Sequence, residues 1–365
     1  MSKKDLSERK QKILTALVED YILSAEPVSS KDIQSRYMPD ISSATIRSEL
    51  AALEEMGFLE QTHISSGRVP LPEAYRYYVE KAIESTSLTK KDVEFIKRRF
   101  QKTLGDIKTM SAEAAKILSD ATNYTSVFIS GNPADVSIIE VKLVPMSNRR
   151  AVVLVLTSGG MLADKTVSIP EGATLEGIQT ASGVINKVFS GKNLAEIERF
   201  PSKIEAELAG YERIFSEVVQ VLKKYVADNR NSVYVEGALK MLDYPECGDV
   251  SAAKKFLQVI SDESAVKKLV SSESGDIEYT IKIGKDAAGI ENCSVVTAEY
   301  KVNGQMLGQA GVIGPERMDY KRVISVLACI KQSLNAILGA ENTDKKEDIP
   351  DYQSDKTTED NDDPT

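Results

Sequence analysis

The stretch Ser42-Ser43-Ala44-Thr45-Ile46-Arg47-Ser48-Glu49-Leu50-Ala51-Ala52-Leu53-Glu54-Glu55-Met56-Gly57 decides how the first part of this chain is read. Ser42 is placed to cap a helix, and Ile46, Leu50 and Leu53 recur at helical spacing. Gly57 is the kind of residue that ends a helix in the left-handed conformation. Two helices precede it. Glu8 to Leu23 carries an apolar stripe of Ile13, Leu14, Leu17, Val18, Tyr21 and Ile22, and Ser29 to Tyr37 is shorter, with Ile33 and Tyr37 inward. Met38-Pro39-Asp40-Ile41 is the turn between the second and third helices, because proline lacks a donor and restrains the residue before it. After Gly57 the period shortens. Phe58 to Ile64 is extended, Ser65-Ser66-Gly67 turns, and Arg68-Val69-Pro70 leads back. The order helix, helix–turn–helix, hairpin predicts a winged helix-turn-helix DNA-binding domain over residues 1–84.

In such a domain the second helix of the pair enters the DNA major groove, with its N-terminal residues on the base edges. With Ile46, Leu50 and Leu53 inward, a rotation of 100° per residue turns Ala44 and Ser48 outward and places Ser43, Thr45 and Arg47 on the flanks. Arginine can bond guanine O6 and N7 together. The free N–H groups of the first turn suit a phosphate. The candidate DNA contacts are Ser42, Ser43, Thr45, Arg47 and Ser48 on the helix, His63, Ser65, Ser66 and Arg68 on the hairpin, and Arg76 beyond it. Bulk charge does not single the segment out: Met1 to Lys81 holds eleven basic and thirteen acidic residues, so the usual basic footprint is missing. For His63, a phosphate contact and a structural role in the hairpin stand level.

Outward from this segment, Pro72 to Ile83 is a tyrosine-rich helix whose spacing turns Tyr75 and Tyr78 toward the core. Ser85-Thr86-Ser87 reads as a linker. Leu88 to Leu104 is a charged helix with Lys90, Lys91, Lys97, Arg98, Arg99 and Lys102, which fits an extended DNA footprint and a solvated face equally. A helix at Thr109–Thr122 precedes strands at Val127–Ser130, Ser137–Val144, Arg150–Thr157 and Met161–Ile169, and a helix at Leu175–Phe189. A mostly helical stretch follows, before strands return at Ile277–Ile283, Ser294–Tyr300 and Gly308–Ile313 and the helix Tyr320–Leu338 closes the fold. The expectation is an α+β domain, 85–200 and 276–340, interrupted by a mostly helical inserted subdomain at 201–275. Residues 341–365 hold ten acids and three lysines; this acidic tail is expected to be disordered.

Composition narrows the function. The chain has 365 residues and a net charge of −9, most of it in the tail, so a low pI does not exclude DNA. No apolar run approaches about 18 residues, and the polar start is not a signal peptide, so no membrane span or export is expected. Three scattered cysteines (Cys247, Cys293, Cys329) fit a reducing cytoplasm. With His63 the single histidine, no clustered zinc ligands and no convincing catalytic set are visible. Gly304, Gly308, Gly311 and Gly314 lack the context of a phosphate loop. Neither a cofactor nor an enzyme activity is expected.

Several segments together resemble one family. They are Ser42 to Arg47, Leu53-Glu54-Glu55-Met56-Gly57-Phe58-Leu59, His63-Ile64-Ser65-Ser66-Gly67-Arg68-Val69-Pro70 and Tyr75-Arg76-Tyr77-Tyr78-Val79. Some 200 residues on come Cys293 to Tyr300 and Gly311-Val312-Ile313-Gly314-Pro315-Glu316-Arg317-Met318-Asp319-Tyr320. This set is similar to the bacterial HrcA family of heat-inducible repressors of chaperone operons. The resemblance implies a winged helix, a GAF-like domain and an inserted dimerising domain. It implies a homodimer on an inverted-repeat operator, whose active form the chaperonin supports. Three positions depart from the pattern. Ser48 stands where asparagine is usual, Thr62 where proline is, and Ala74 where glycine is. The first bears on operator contacts, and the last suits a helix. The acidic tail is outside the common pattern.

Overall fold

The computed structural model describes residues 6–62, 67–82, 88–102, 107–132, 136–147, 149–157, 160–169, 174–199, 212–229, 232–271, 279–284, 290, 292–302 and 305–338. The hairpin residues His63, Ser65 and Ser66 and the acidic tail lie outside them.

The chain opens with helices α1 (Glu8–Ser24), α2 (Ser30–Arg36) and α3 (Ser43–Glu55). Their ends follow from side-chain chemistry. Ser29 and Asp32 form a reciprocal capping box at α2, and Ser42 caps α3. Gly57 takes φ +81° behind α3, a left-handed conformation that glycine adopts without penalty. Ile13, Leu14, Leu17, Ile33, Ile46 and Leu53 are fully buried between the three helices. A two-stranded antiparallel ribbon, β1 (Leu59–Glu60) with β2 (Val69–Pro70), follows, and then α4 (Pro72–Ala82).

Helices α5 (Lys90–Lys102) and α6 (Ile107–Thr122) lead into strand β3 (Thr125–Ser130). Here the chain leaves for an excursion. Strands β4 (Ile138–Ser147), β5 (Arg150–Thr157) and β6 (Gly160–Ser168) form a separate three-stranded antiparallel meander. Helices α7 (Leu175–Phe189) and α8 (Glu212–Asn229) pack on it. Val141, Leu143, Val153 and Val155 from the strands meet Ile178, Ile185, Phe189, Val218 and Leu222 from the helices in a core of their own.

Strand β7 (Val233–Glu236) brings the chain back alongside β3. After helices α9 (Val250–Ser261) and α10 (Glu263–Val270) come β8 (Tyr279–Ile283), β9 (Cys293–Val302), β10 (Gln305–Pro315) and helix α11 (Tyr320–Leu338). The five strands form one antiparallel sheet in the order β7-β3-β10-β9-β8. Strand side chains alternate between faces, and both faces of this sheet are covered. Phe128, Val296, Tyr300 and Val312 share a core with Ala114 and Leu118 of α6 and Val323 and Leu327 of α11. Val127, Val295 and Ile313 share another with Phe256 of α9 and Val266 and Leu269 of α10.

The architecture is α+β, but the excursion sits earlier than the expected 201–275. The separate core runs from Val136 to Val226, while 233–236 is an edge strand of the large sheet and 250–270 covers its second face. The expected division is corrected accordingly. Four consecutive strand patterns read as part of one domain, yet only the first of them joins the five-stranded sheet; alternation marks a strand without marking its partner. The neck of the excursion is narrow. Ser130 N–H donates to Ser232 O at 2.9 Å, and Ser232 N–H donates to Ser130 Oγ at 3.0 Å.

Candidate nucleic-acid interface

Helix α3 presents its first two turns to solvent. Ser42, Ala44, Arg47 and Ser48 are exposed, with Ser43 and Thr45 half-buried. The Ser42 hydroxyl accepts from Thr45 N–H at 3.1 Å and lies 2.8 Å from Thr45 Oγ1. Ser43 Oγ lies 2.9 Å from Ser30 Oγ and so ties the start of α3 to the start of α2. Arg47 makes no ion pair with the described residues. The Ser42–Ser48 set is therefore brought together on one surface.

The rear of α3 is held by a carboxylate at a core-facing position. Glu49 is buried against α1, where Arg9 Nε donates to Oε1 at 2.7 Å and Lys10 Nζ lies 2.8 Å from Oε2. Hydrogen bonding from Lys10, opposed by burial and helped by Arg9, lowers its carboxyl below the usual range. Two N-terminal cations are thus spent on positioning α3. Sequence reasoning missed this brace; its signal was a glutamate three residues after Ile46, on the apolar stripe.

Arg68 and Arg76 sit differently from the helix set. Arg68 Nε donates to Glu54 Oε2 of α3 at 2.8 Å, with only 15% of its side chain exposed. Its backbone exchanges two hydrogen bonds with Val28, at 3.0 and 2.8 Å. A Cβ on the adjoining Gly67 would stand 2.4 Å from the Val28 carbonyl, so the approach requires glycine. Arg68 roots the ribbon on α3. Arg76 pairs with Glu73 at 2.6 Å and is near enough to Glu316 to oppose the rise that burial imposes on that carboxyl. It stands where α4 meets the entry to α11, apart from the Ser42–Ser48 surface.

That entry is the second segment singled out in the sequence. Tyr320 is fully buried, and its ring lies 5.9 Å from Tyr75 of α4. Lys321 pairs with Glu19 of α1 and lies 5.4 Å above the Tyr78 ring. Arg317 pairs with Glu246 at 2.5 Å. Gly314 to Lys321 is therefore the joint between the N-terminal helices and the large sheet, which explains why two motifs so far apart in sequence belong together.

The family model for the HrcA protein C terminal domain matches residues 108–324. The heat-inducible transcription repressor HrcA of Moorella thermoacetica is 35% identical over 338 residues, covering 91% of this chain and 98% of that one. The chain belongs to the HrcA family. The HrcA repressor of Pelotomaculum thermopropionicum is 34% identical, covering 91% and 97% of the two chains. A hypothetical protein of known crystal structure shares the fold, with a TM-score of 0.65, 23% identity, and 92% and 99% of the two chains covered. HrcA relatives are transcription repressors of the heat-shock response, not enzymes. Among the described residues no helix is long and apolar enough to cross a membrane.

Proposed function

We propose that this chain is a dimeric, sequence-specific DNA-binding repressor of heat-shock chaperone operons, working in the cytoplasm. The observation that carries the reading is the exposed start of α3: Arg47 and Ser48 face outward while Glu49 and Ile46 lock the helix from behind. In this reading α1–α3 and the ribbon are a winged helix-turn-helix. Arg47 and Ser48 meet base edges, Ser42, Ser43 and Thr45 hold phosphate, and His63, Ser65 and Ser66 at the wing add backbone contacts. Arg68 and Arg76 serve by holding the ribbon and α4 in place. The large sheet with its helices is the GAF-like domain, and residues 136–229 are the inserted dimerising unit.

The dimer is supported by the open face of the small sheet. Val144 and Val152 are paired across β4 and β5, and Leu154 and Leu156 follow on the same side. Val144 is 39% exposed, Leu156 42% and Met146 67%. A second copy seated there covers this patch and relates two α3 helices by a two-fold axis, as an inverted-repeat operator requires. Domains are stable by only about 5–15 kcal/mol, so modest heating disturbs the dimer geometry and frees the operator. Chaperonin returns the chain to the binding form.

The test is a gel-shift titration against an inverted-repeat chaperone operator and a scrambled duplex, at one salt concentration because non-specific binding is steeply salt-dependent. Selective binding, strengthened by chaperonin, is expected. Arg47→Ala weakens operator binding by about tenfold or more and leaves the dimer intact by light scattering. Equal binding to both duplexes overturns the reading.

A further inference from the structure

Helix α5 carries a face that this function does not use. Val93, Ile96 and Phe100 are buried on one side of it. Lys90, Lys91, Lys97, Arg98 and Lys102 are exposed along the other, with Glu94 the exposed carboxylate among them. The remaining charges of α5 are already matched. Arg99 lies 2.5 Å from Glu113 and 3.4 Å from Asp120, and Asp92 lies 3.0 Å from Arg322. What remains outward is a cationic strip about 20 Å long for a helix of this length.

The described chain ends on the helix that packs beside that strip. Helices α5 and α11 pack together and run in the same direction. Asp92 near the start of α5 meets Arg322 near the start of α11. Further along, Lys97 is close enough to Cys329 to oppose the rise that burial imposes on its thiol. The C-terminal end of α11, at Leu338, therefore lies toward the C-terminal end of α5. From there 27 residues continue, and Glu341 to Thr365 supplies ten acids against three lysines. A chain of that length spans about 30 Å as a coil, more than the length of α5. Tethering gives it an effective concentration on the order of millimolar at the strip.

We propose that residues 341–365 lie along the Lys90–Lys102 face of α5 as an intramolecular polyanion. The tail thereby covers a cationic surface that would otherwise gather nucleic acid without regard to sequence. This docking does not depend on the operator reading, since it rests on charge and tether length alone.

Zero-length carbodiimide coupling of the full chain tests it, with isotope-labelled and unlabelled chains mixed so that bonds within a chain are distinguished from bonds between chains. The expected products join tail carboxylates to Lys90, Lys91, Lys97 or Lys102 of the same chain. Their yield falls about fivefold or more between about 50 mM and about 0.5 M salt, as screening of exposed charges requires. A full-length variant with the ten tail acids changed to amides is expected to bind a scrambled duplex about tenfold more tightly at low salt. Adding Lys90→Ser, Lys97→Ser, Arg98→Ser and Lys102→Ser removes that gain. Coupling to lysines of α1 or α2, coupling between chains, or unchanged scrambled-duplex binding by the neutral-tail variant overturns the proposal. So does a tail that fails to couple to α5 while the four-site variant loses operator affinity, which makes the strip a DNA contact.

Discussion

The five-stranded sheet is enclosed between helices on both faces, whereas the three-stranded sheet has α7 and α8 on one face and, among the described residues, leaves Val144, Met146 and Leu156 exposed on the other. Their strands do not announce the difference. In β3, Thr-Ser-Val-Phe-Ile-Ser is buried at every position. In β5, Arg-Ala-Val-Val-Leu-Val-Leu-Thr is a longer and more continuous apolar run, yet buried residues alternate with partly exposed ones. Continuous apolar runs belong to strands covered on both sides, while a sheet with one wet face alternates apolar and polar. The composition of β5 thus asks for a second cover that the described residues do not provide. The large sheet is packed on both faces, and the small one keeps apolar side chains at its surface.

The largest test separates the two cores. Tyr300 is buried in the large sheet, stacks 5.7 Å from Phe128 and donates to Leu327 O at 3.2 Å. Phe189 is fully buried in the small unit, 5.3 Å from Phe215. Each truncation to alanine is expected to cost about 3–5 kcal/mol. Read by hydrogen exchange during urea unfolding, Tyr300→Ala should weaken protection in β3, β9 and β10, and Phe189→Ala that in β4 to β6. Equal losses everywhere would merge the two units into one.

Next in size is the open face. Leu154→Asp and Leu156→Asp are expected to change the unfolding free energy by less than about 0.5 kcal/mol. They should weaken self-association by about 2 kcal/mol or more each, measured by sedimentation equilibrium. A chain that unfolds instead of dissociating would show the face to be internal packing.

Helix α3 offers a third kind of surface, polar outside and braced by charge behind. Glu49→Gln should cost about 2 kcal/mol at neutral pH. Because its folded-state pKa is lowered, the bridge to Lys10 and Arg9 contributes fully above the usual carboxylate range and is lost as the pH falls through the lowered value. Acid should therefore erase the difference between wild type and variant in a thermal melt, with the sheets unaffected. A gap that persists in acid would remove the ionic explanation.

The smallest effect lies at the end of α1. Ala25 takes φ 55° as the helix cap, and Ala25→Gly should add about 0.5–1 kcal/mol by relieving that conformation. A lower melting temperature would show that chain entropy outweighs the strain.

The helical start was legible because its signals are local. Ser29, Ser42 and Gly57 mark ends, and a fixed rotation per residue assigns Arg47 and Ser48 to the outside. Sheet membership was not legible, because pairing is long-range: Phe128 faces Ala310 and Tyr234 in neighbouring strands, and neither address is written in β3. The short run Val233–Glu236 was lost inside a helical stretch for the same reason. The candidate contacts divide similarly. Those on α3 follow from its own period, whereas Arg68 and Arg76 depend on Glu54, Glu73 and Glu316, whose positions only tertiary packing decides.

The neck at Ser130 and Ser232 has a consequence for how such a chain can be rebuilt. A hundred residues depart and return through two serines that already hydrogen-bond each other, in the register of a β3–β7 hairpin. A two-residue turn suffices to close adjacent antiparallel strands. The excursion is then an exchangeable cartridge. A short loop in its place leaves the large sheet its full set of strands, and a different folded unit can be spliced at the same two residues without changing the register of β3 and β7.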